Sequence, residues 1–457
     1  KKVLWEVYTR KYDTIEKALT AFADEWGEWN EDFKRAIYTV VSAQLEQSSE
    51  GLRHTLQRAN DIILEGTKRM LEEYQAKLSG PTFILFSLGL LLPVIVGTML
   101  PLAGMGGIKV SVLEVIFLMN VLFPIGTFLY AYNILRNRPA AITPPQIPSI
   151  YTSGKKILIF FIAIMVGLSI FVLTFLLGAF LGIKGIIGGA AATLAIGIAI
   201  GLYSFSTSFK QKMERERILE VEKKYPDALF QFGNRIAEGK PFEVALKKVS
   251  EEMKGSQIAD EMRRLSYIIY MKKLPPEEAL FGYGGALVDY PSKTIKTTMK
   301  VAGGTAKKDI LTAGQTIVSI SSYLRDMRKV EHDIRIGLSS IVTMMVNTAM
   351  FFAPIMIGIT SAIYVILAEA MKGMIPATEI APAGIGFYTA GGVTIPVDVF
   401  SGIFGLYLVL TVIIVTYFSV GIMYGDDAIE RNYTLGKSLP IAVIIYALCF
   451  ILGQAVL

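Results

Sequence analysis

Cysteine, histidine and, over most of its length, charge are what this 457-residue chain has least of. The single Cys449 excludes an intrachain disulfide scaffold and a cysteine metal cluster, and reads as a small buried apolar residue. The two histidines, His54 and His332, stand in no HExxH pattern, near no cysteine pair and in no carboxylate cluster, so they read as surface or structural residues. Phosphate-cradling loops are missing too. Gly154-Lys155-Lys156 closes no glycine-rich loop, and Gly303-Gly304-Thr305-Ala306-Lys307 lacks the spacing that brings a lysine onto phosphates. No metal, cofactor or catalytic residue is expected; ATP used by any assembly containing this chain would be hydrolysed by another polypeptide. The opening KKVLWEVYTRKYD shows neither a methionine nor an apolar leader, which leads to the expectation that residues precede Lys1.

What is abundant is apolar surface. Hydrophobic residues make up 53% of the chain and charged ones 18%. The charges are segregated: 36 of the 45 basic and 32 of the 39 acidic residues fall in 1–80 and 208–335, leaving 16 for the other 249 residues. Seven apolar stretches reach the roughly 20 residues a bilayer helix needs. They cover about 81–103, 110–132, 157–180, 185–206, 338–368, 400–424 and 438–457. The fifth, with Pro354 and Gly358, is read either as one tilted helix or as a helix with a re-entrant turn. The linker 133–156 carries Arg136, Arg138, Lys155 and Lys156 without an acid, which places it in the cytoplasm. Counting crossings then puts 1–80 and 208–335 there as well, and 369–399 outside.

The expected fold is all-α: a polytopic cell-membrane protein with about seven transmembrane helices and two cytosolic helical-bundle domains related by an internal repeat. Its expected parts are a first cytosolic domain at 1–80, a transmembrane hairpin at 81–132, the basic linker 133–156 and a second hairpin at 157–206. A second cytosolic domain at 208–335 and a region of about three helices at 338–457 follow. The repeat is read at an offset of 261, which sets Ala18-Leu19 on Ala279-Leu280 and Trp29 on Tyr290. Under that register 222–272 has no amino-terminal counterpart. Glu238-Gly239-Lys240-Pro241 and Leu274-Pro275-Pro276-Glu277-Glu278 read as helix boundaries, with Phe242, Ala245, Leu246 and Val249 forming an apolar stripe between them.

Three groups of side chains invite a functional reading. Glu114 and Asp398 are acids at span ends, read as boundary residues; the alternative, a polytopic transporter of a small molecule or lipid, would use them for ion coupling. Gly185, Gly189, Thr193, Gly197 and Gly201 recur every four residues and form a small-residue strip for close helix packing. Its partner could be another helix of the chain, a second copy in a homodimer, or a bound subunit. The basic residues Lys247, Lys248, Arg263, Arg264, Lys272, Lys273, Lys307, Lys308, Arg325, Arg328 and Lys329 face either anionic membrane lipids or an acidic protein partner. Interleaved acids and the lack of an aromatic stacking platform argue against nucleic acid.

Three segments carry a family resemblance: LRHTLQRANDIILEGTKRMLEEYQAKL, LSGPTFILFSLGLLLPVIVGTMLPL, and YPDALFQFGNRIAEGKPFEVAL. It is strongest at Pro226-Asp227-Ala228-Leu229, Gly239-Lys240-Pro241-Phe242, Ala245-Leu246 and Glu278-Ala279-Leu280. The chain resembles the archaeal type II secretion F-domain family, the polytopic platform proteins of archaeal type IV filament assembly, in archaella and pili. That resemblance implies a cytosolic assembly ATPase as partner, pilin-like or archaellin subunits as substrates, and no enzymatic activity in the chain itself.

Overall fold

In a computed structural model the described residues are 2–105, 110–136, 138, 147, 153–181, 186–306, 309–374 and 395–456. Every regular element among them is helical. Among the described residues seven helical stretches are long and apolar enough to cross a bilayer, so the chain is a polytopic membrane protein. It divides into two units, one formed by 1–76 with 217–337 and the other by 77–216 with 338–457. Nearly all of both charged segments therefore share one polar unit, and the apolar stretches, with residues 208–216, belong to the other. The chain passes between units within α4 (Ser49–Phe86), α9 (Ala191–Ala237) and α14 (Ile310–Asn347). At 1.5 Å per residue the 47-residue α9 is about 70 Å long, more than twice a bilayer core.

In the polar unit, α1 (Lys2–Tyr8) precedes α2 (Ile15–Gly27) and α3 (Glu31–Ser42). Local chemistry fixes where these begin: the Lys17 N–H donates to Thr14 Oγ1 and the Phe33 N–H to Asn30 Oδ1, each satisfying an amide that has no partner inside its helix. The second charged segment folds as the end of α9, α10 (Phe242–Glu252), α11 (Gln257–Lys272), α12 (Pro276–Phe281), α13 (Lys293–Ala306) and the start of α14. Gly239, at φ +81°, ends α9 in a left-handed turn that a side chain would strain. The expected stripe of Phe242, Ala245, Leu246 and Val249 is buried with Tyr225, Phe232, Leu265 and Met299 in one core.

The membrane unit contains α5 (Leu92–Met105), α6 (Val112–Phe117), α7 (Phe123–Arg136), α8 (Ser153–Leu181), α15 (Ala353–Met374), α16 (Val397–Tyr424) and α17 (Ala428–Val456), with the apolar part of α9. Wide π turns at Ser87–Leu91, Leu118–Leu122, Ile186–Ala190 and Thr348–Phe352 interrupt its helices. Proline explains three of them. Pro93, Pro124 and Pro354 each stand two residues past a π turn, and a proline cannot donate to the carbonyl four residues back. The turn takes up the break by bonding one residue further: Leu92 N–H donates to Ser87 O, Phe123 N–H to Leu118 O and Ala353 N–H to Thr348 O. The carbonyl that Pro93 cannot serve is that of Gly89, and the buried Tyr407 hydroxyl donates to it at 2.7 Å. The fifth apolar stretch therefore continues as helix through its proline, and has no re-entrant turn before Met374.

Spacing in the chain is regular. The starts of α2, α4 and the π turn at Ser87 lie 261 residues before those of α12, α14 and the π turn at Thr348, and α4 and α14 both have 38 residues.

Candidate docking face and ionic joint

Helix α11 starts at Ser256, whose hydroxyl accepts from the Ala259 N–H, and ends at Lys273, which takes the left-handed conformation at φ 51°. Ile258, Met262, Leu265 and Ile269 turn inward, and Ser266 Oγ donates to Glu243 O at 2.8 Å, pinning α11 to the start of α10. That burial fixes which residues point out. Arg263, Tyr267, Tyr270 and Met271 follow at helical spacing on the opposite face, where Tyr267 is 61%, Tyr270 69% and Met271 59% exposed. Tyr283 joins them from the loop after α12. Lys272 Nζ donates to Gly284 O at 2.8 Å and holds that loop, which leaves Tyr283 fully exposed. Tyrosine, methionine and arginine are the residues enriched where protein interfaces carry their binding energy. Tyr290, by contrast, is half-buried: burial first, then the nearby carboxylates Glu261 and Glu222, push its phenol pKa up and keep it a neutral hydroxyl.

The basic residues singled out from the sequence separate into groups. Arg263 and Arg264 are exposed on α11, each 3.6 Å from an acid one turn away, Asp260 and Glu261, in pairs too long and too solvated to occupy them. Lys273 is exposed at the carboxyl end of α11, and Lys247 and Lys248 are exposed on α10. Lys272 is engaged with the loop. Arg325 pairs with Asp227 at 3.0 Å and lies 5.6 Å from the Phe230 ring. Arg328 serves the inside of the unit: it meets Glu222 at 2.7 Å and Glu331 at 3.0 Å, while Ser292 Oγ donates to the same buried Glu222 at 2.6 Å. Lys329 is exposed on α14; Lys307 and Lys308 lie outside the described residues. The aromatic half of the face escaped sequence reading, although a signal was there. Tyr267 and Tyr270 occupy the polar side of an otherwise well-patterned amphipathic helix.

In the membrane unit the small-residue strip is covered by the chain's own helices. A Cβ on Gly189 would sit 2.1 Å from Asp398 O, one on Gly197 2.4 Å from Val443 Cγ1, and one on Gly201 2.3 Å from Pro440 Cγ. Thr193 fills the space that Gly405 leaves open on α16. Gly185 lies outside the described residues. Glu114 is a capping residue, since its carboxylate accepts from the Ser111 N–H while Ser111 Oγ accepts from the Glu114 N–H, a reciprocal arrangement that starts α6. Asp398 lies in the first turn of α16. His54 and His332 are exposed. Among the described residues, no three histidine, cysteine or acidic side chains converge as metal ligands.

Sequence reading also missed a buried ionic joint. Arg215 on α9, 4% exposed, reaches to 2.6 Å from Asp427 and 3.8 Å from Glu430, and Lys212 Nζ meets Glu430 at 2.5 Å. Asp427 also accepts from the Ile429 and Glu430 N–H groups, capping α17. The cluster thus fixes α9 to the connection between α16 and α17 with four mutually compensating charges. Comparison with protein-family models, with curated proteins and with solved structures finds no match for this chain.

Proposed function

We propose that the chain is a membrane platform that couples a cytosolic assembly ATPase to the insertion of pilin-like subunits into a growing type IV filament or archaellum. The observation that carries the reading is helix continuity: the chain passes between the polar and the membrane unit three times, each time inside an unbroken helix. A coupling protein needs such connections, because a flexible linker would absorb a displacement that a helix passes on. The basic linker 133–156 supports placing the polar unit in the cytoplasm. The 261-residue spacing of helix starts and π turns supports two related modules, each a polar helical segment feeding membrane helices.

On this reading the exposed tyrosines of α11, rimmed by Arg263, Arg264 and Lys273, dock an acidic face of the ATPase. Charge steers the encounter and the aromatic residues supply the contact. Because α16 and α17 cover the glycine strip, the subunit's membrane helix is received elsewhere; α8, with only 11% of its apolar stretch buried, has the most surface to offer. The docking face is tested by charge reversal at Arg263 and Arg264 and, separately, by alanine at Tyr267, Tyr270 and Tyr283, with ATPase co-purification from membranes as the readout. Each set is expected to lower recovery at least tenfold while the chain remains in the membrane; unchanged recovery with both sets would sink the docking face.

A further inference from the structure

Where α7 ends, a cavity of about 340 Å³ opens against the turn between α16 and α17. Its polar lining is lopsided: Arg136, Arg138 and Arg431 face a single carboxylate, Asp426. Asp426 does little to balance them. Its side chain is 95% exposed and 3.5 Å from Arg431, a distance and setting at which water screens most of the attraction. Asp427 and Glu430, which follow Asp426 in the chain, are committed to Arg215 and Lys212 in the ionic joint. By formal charge the side chains lining the cavity are positive on balance.

Two of the arginines are also held in place. Arg138 Nη2 donates to Met423 O at 3.3 Å, covering the carbonyl end of α16 that would otherwise repel an anion. Gly425, at φ +77°, makes room for that guanidinium, since a Cβ there would lie 2.5 Å from Arg138 Nη1. Arg431 stacks over the Tyr417 ring at 5.5 Å, and Tyr132 lines the same cavity. Arginines beside tyrosines at the ends of apolar membrane helices are characteristic of headgroup depth, where lipid phosphates are.

We infer that this cavity is a binding site for the phosphate-bearing headgroup of an anionic membrane lipid. The guanidinium forks match phosphate oxygens in pairs, and the tyrosines suit the boundary between headgroup and acyl chain. The lipid would bridge α7 to the α16–α17 turn. A soluble phosphate would satisfy the same guanidinium groups, so the test separates the two sources.

The full chain is placed in nanodiscs of phosphatidylcholine with rising fractions of phosphatidylglycerol, and tightly bound phosphatidylglycerol is counted by native mass spectrometry. The wild type is expected to retain a bound phosphatidylglycerol that Arg136→Gln/Arg431→Gln binds about 25-fold less tightly, roughly fivefold per arginine. Arg138 is left intact in that variant because it caps α16, and an unchanged melting temperature in pure phosphatidylcholine shows that the variant folds. If it does not fold, Arg136→Gln alone is expected to weaken binding about fivefold. Lys155→Gln/Lys156→Gln, which removes the same number of charges from the start of α8, is expected to leave binding unchanged. An equal loss in the lysine variant would mean diffuse attraction and overturn the site, as would full retention in the arginine variants. Stabilisation by inorganic phosphate in phosphatidylcholine discs as large as that by phosphatidylglycerol would reassign the cavity to a soluble ligand and overturn the lipid.

Discussion

Helices α8 and α16 have 29 and 28 residues, and their most apolar 18-residue stretches have mean hydropathies of 2.9 and 2.4, yet 11% of the residues in that stretch of α8 are buried and 72% of those in α16. Apolarity cannot tell them apart, because lipid and protein interior are equally oily solvents for a leucine. What separates them is the means of close packing. Helix α16 has Gly402 and Gly405 opposite Gly189 and Thr193, a stack of Phe400 and Phe404 on Tyr364, and Tyr407 donating to a carbonyl of another helix. Helix α8 meets α9 closely at Gly167, where a Cβ would lie 2.9 Å from Ala195 O, and otherwise turns phenylalanines, leucines and isoleucines outward.

That contrast can be put under strain at the helix ends first. Arg215→Met leaves Asp427 buried beside the end of α16 without its partner and is expected to cost about 3 kcal/mol or more. Lys155→Met with Lys156→Met, at the exposed start of α8, is expected to change stability by less than about 0.5 kcal/mol; thermal and denaturant unfolding in detergent micelles compares the two. Next comes the helix interior. Leu408→Ala on α16, at 0% exposure, loses packing without a compensating transfer term and is expected to cost about 2 kcal/mol. Leu173→Ala on α8, 64% exposed, is expected to leave the unfolding midpoint where it was, and equal losses in both would erase the distinction between the helices. The smallest effect tests the polar contact: Tyr407→Phe strands Gly89 O and is expected to cost about 1 kcal/mol, while Ser169→Ala on α8, whose hydroxyl bonds only within its own helix at Val166 O, costs close to nothing.

The seven apolar stretches, the segregation of charge and the start of α12 at Pro276 were legible because each rests on local chemistry: transfer to lipid, solvation of charge, and a missing N–H. The π turns were half legible. Pro354 was read as a break in an apolar run, but whether a break becomes a kink, a re-entrant turn or a π turn depends on what receives the orphaned carbonyl, and the Tyr407 that serves Gly89 lies more than 300 residues from it. The ionic joint depends on pairing Arg215 with Asp427, which lie 212 residues apart in the chain, so nothing near either residue announces it. In the candidate docking face the cations were found and the tyrosines were not. Counting charges finds one kind of surface residue, whereas an exposed aromatic is recognisable only once the opposite face of the helix is known to be buried.

Each π turn also acts on helical phase. One extra residue in a turn advances everything downstream by about 100° around the helix axis. A long helix so interrupted can show its polar partners one azimuth and its membrane partners another, with neither sequence constrained by the other. Gly97 lies after the turn at Ser87–Leu91 and Gly358 after the turn at Thr348–Phe352. Each receives a neighbour within van der Waals distance of its bare backbone, the Phe404 ring at one and Cys449 at the other. Removing a single residue from either turn would restore regular helix and swing that glycine away from its neighbour, replacing a fitted seam with a side chain aimed at the same spot.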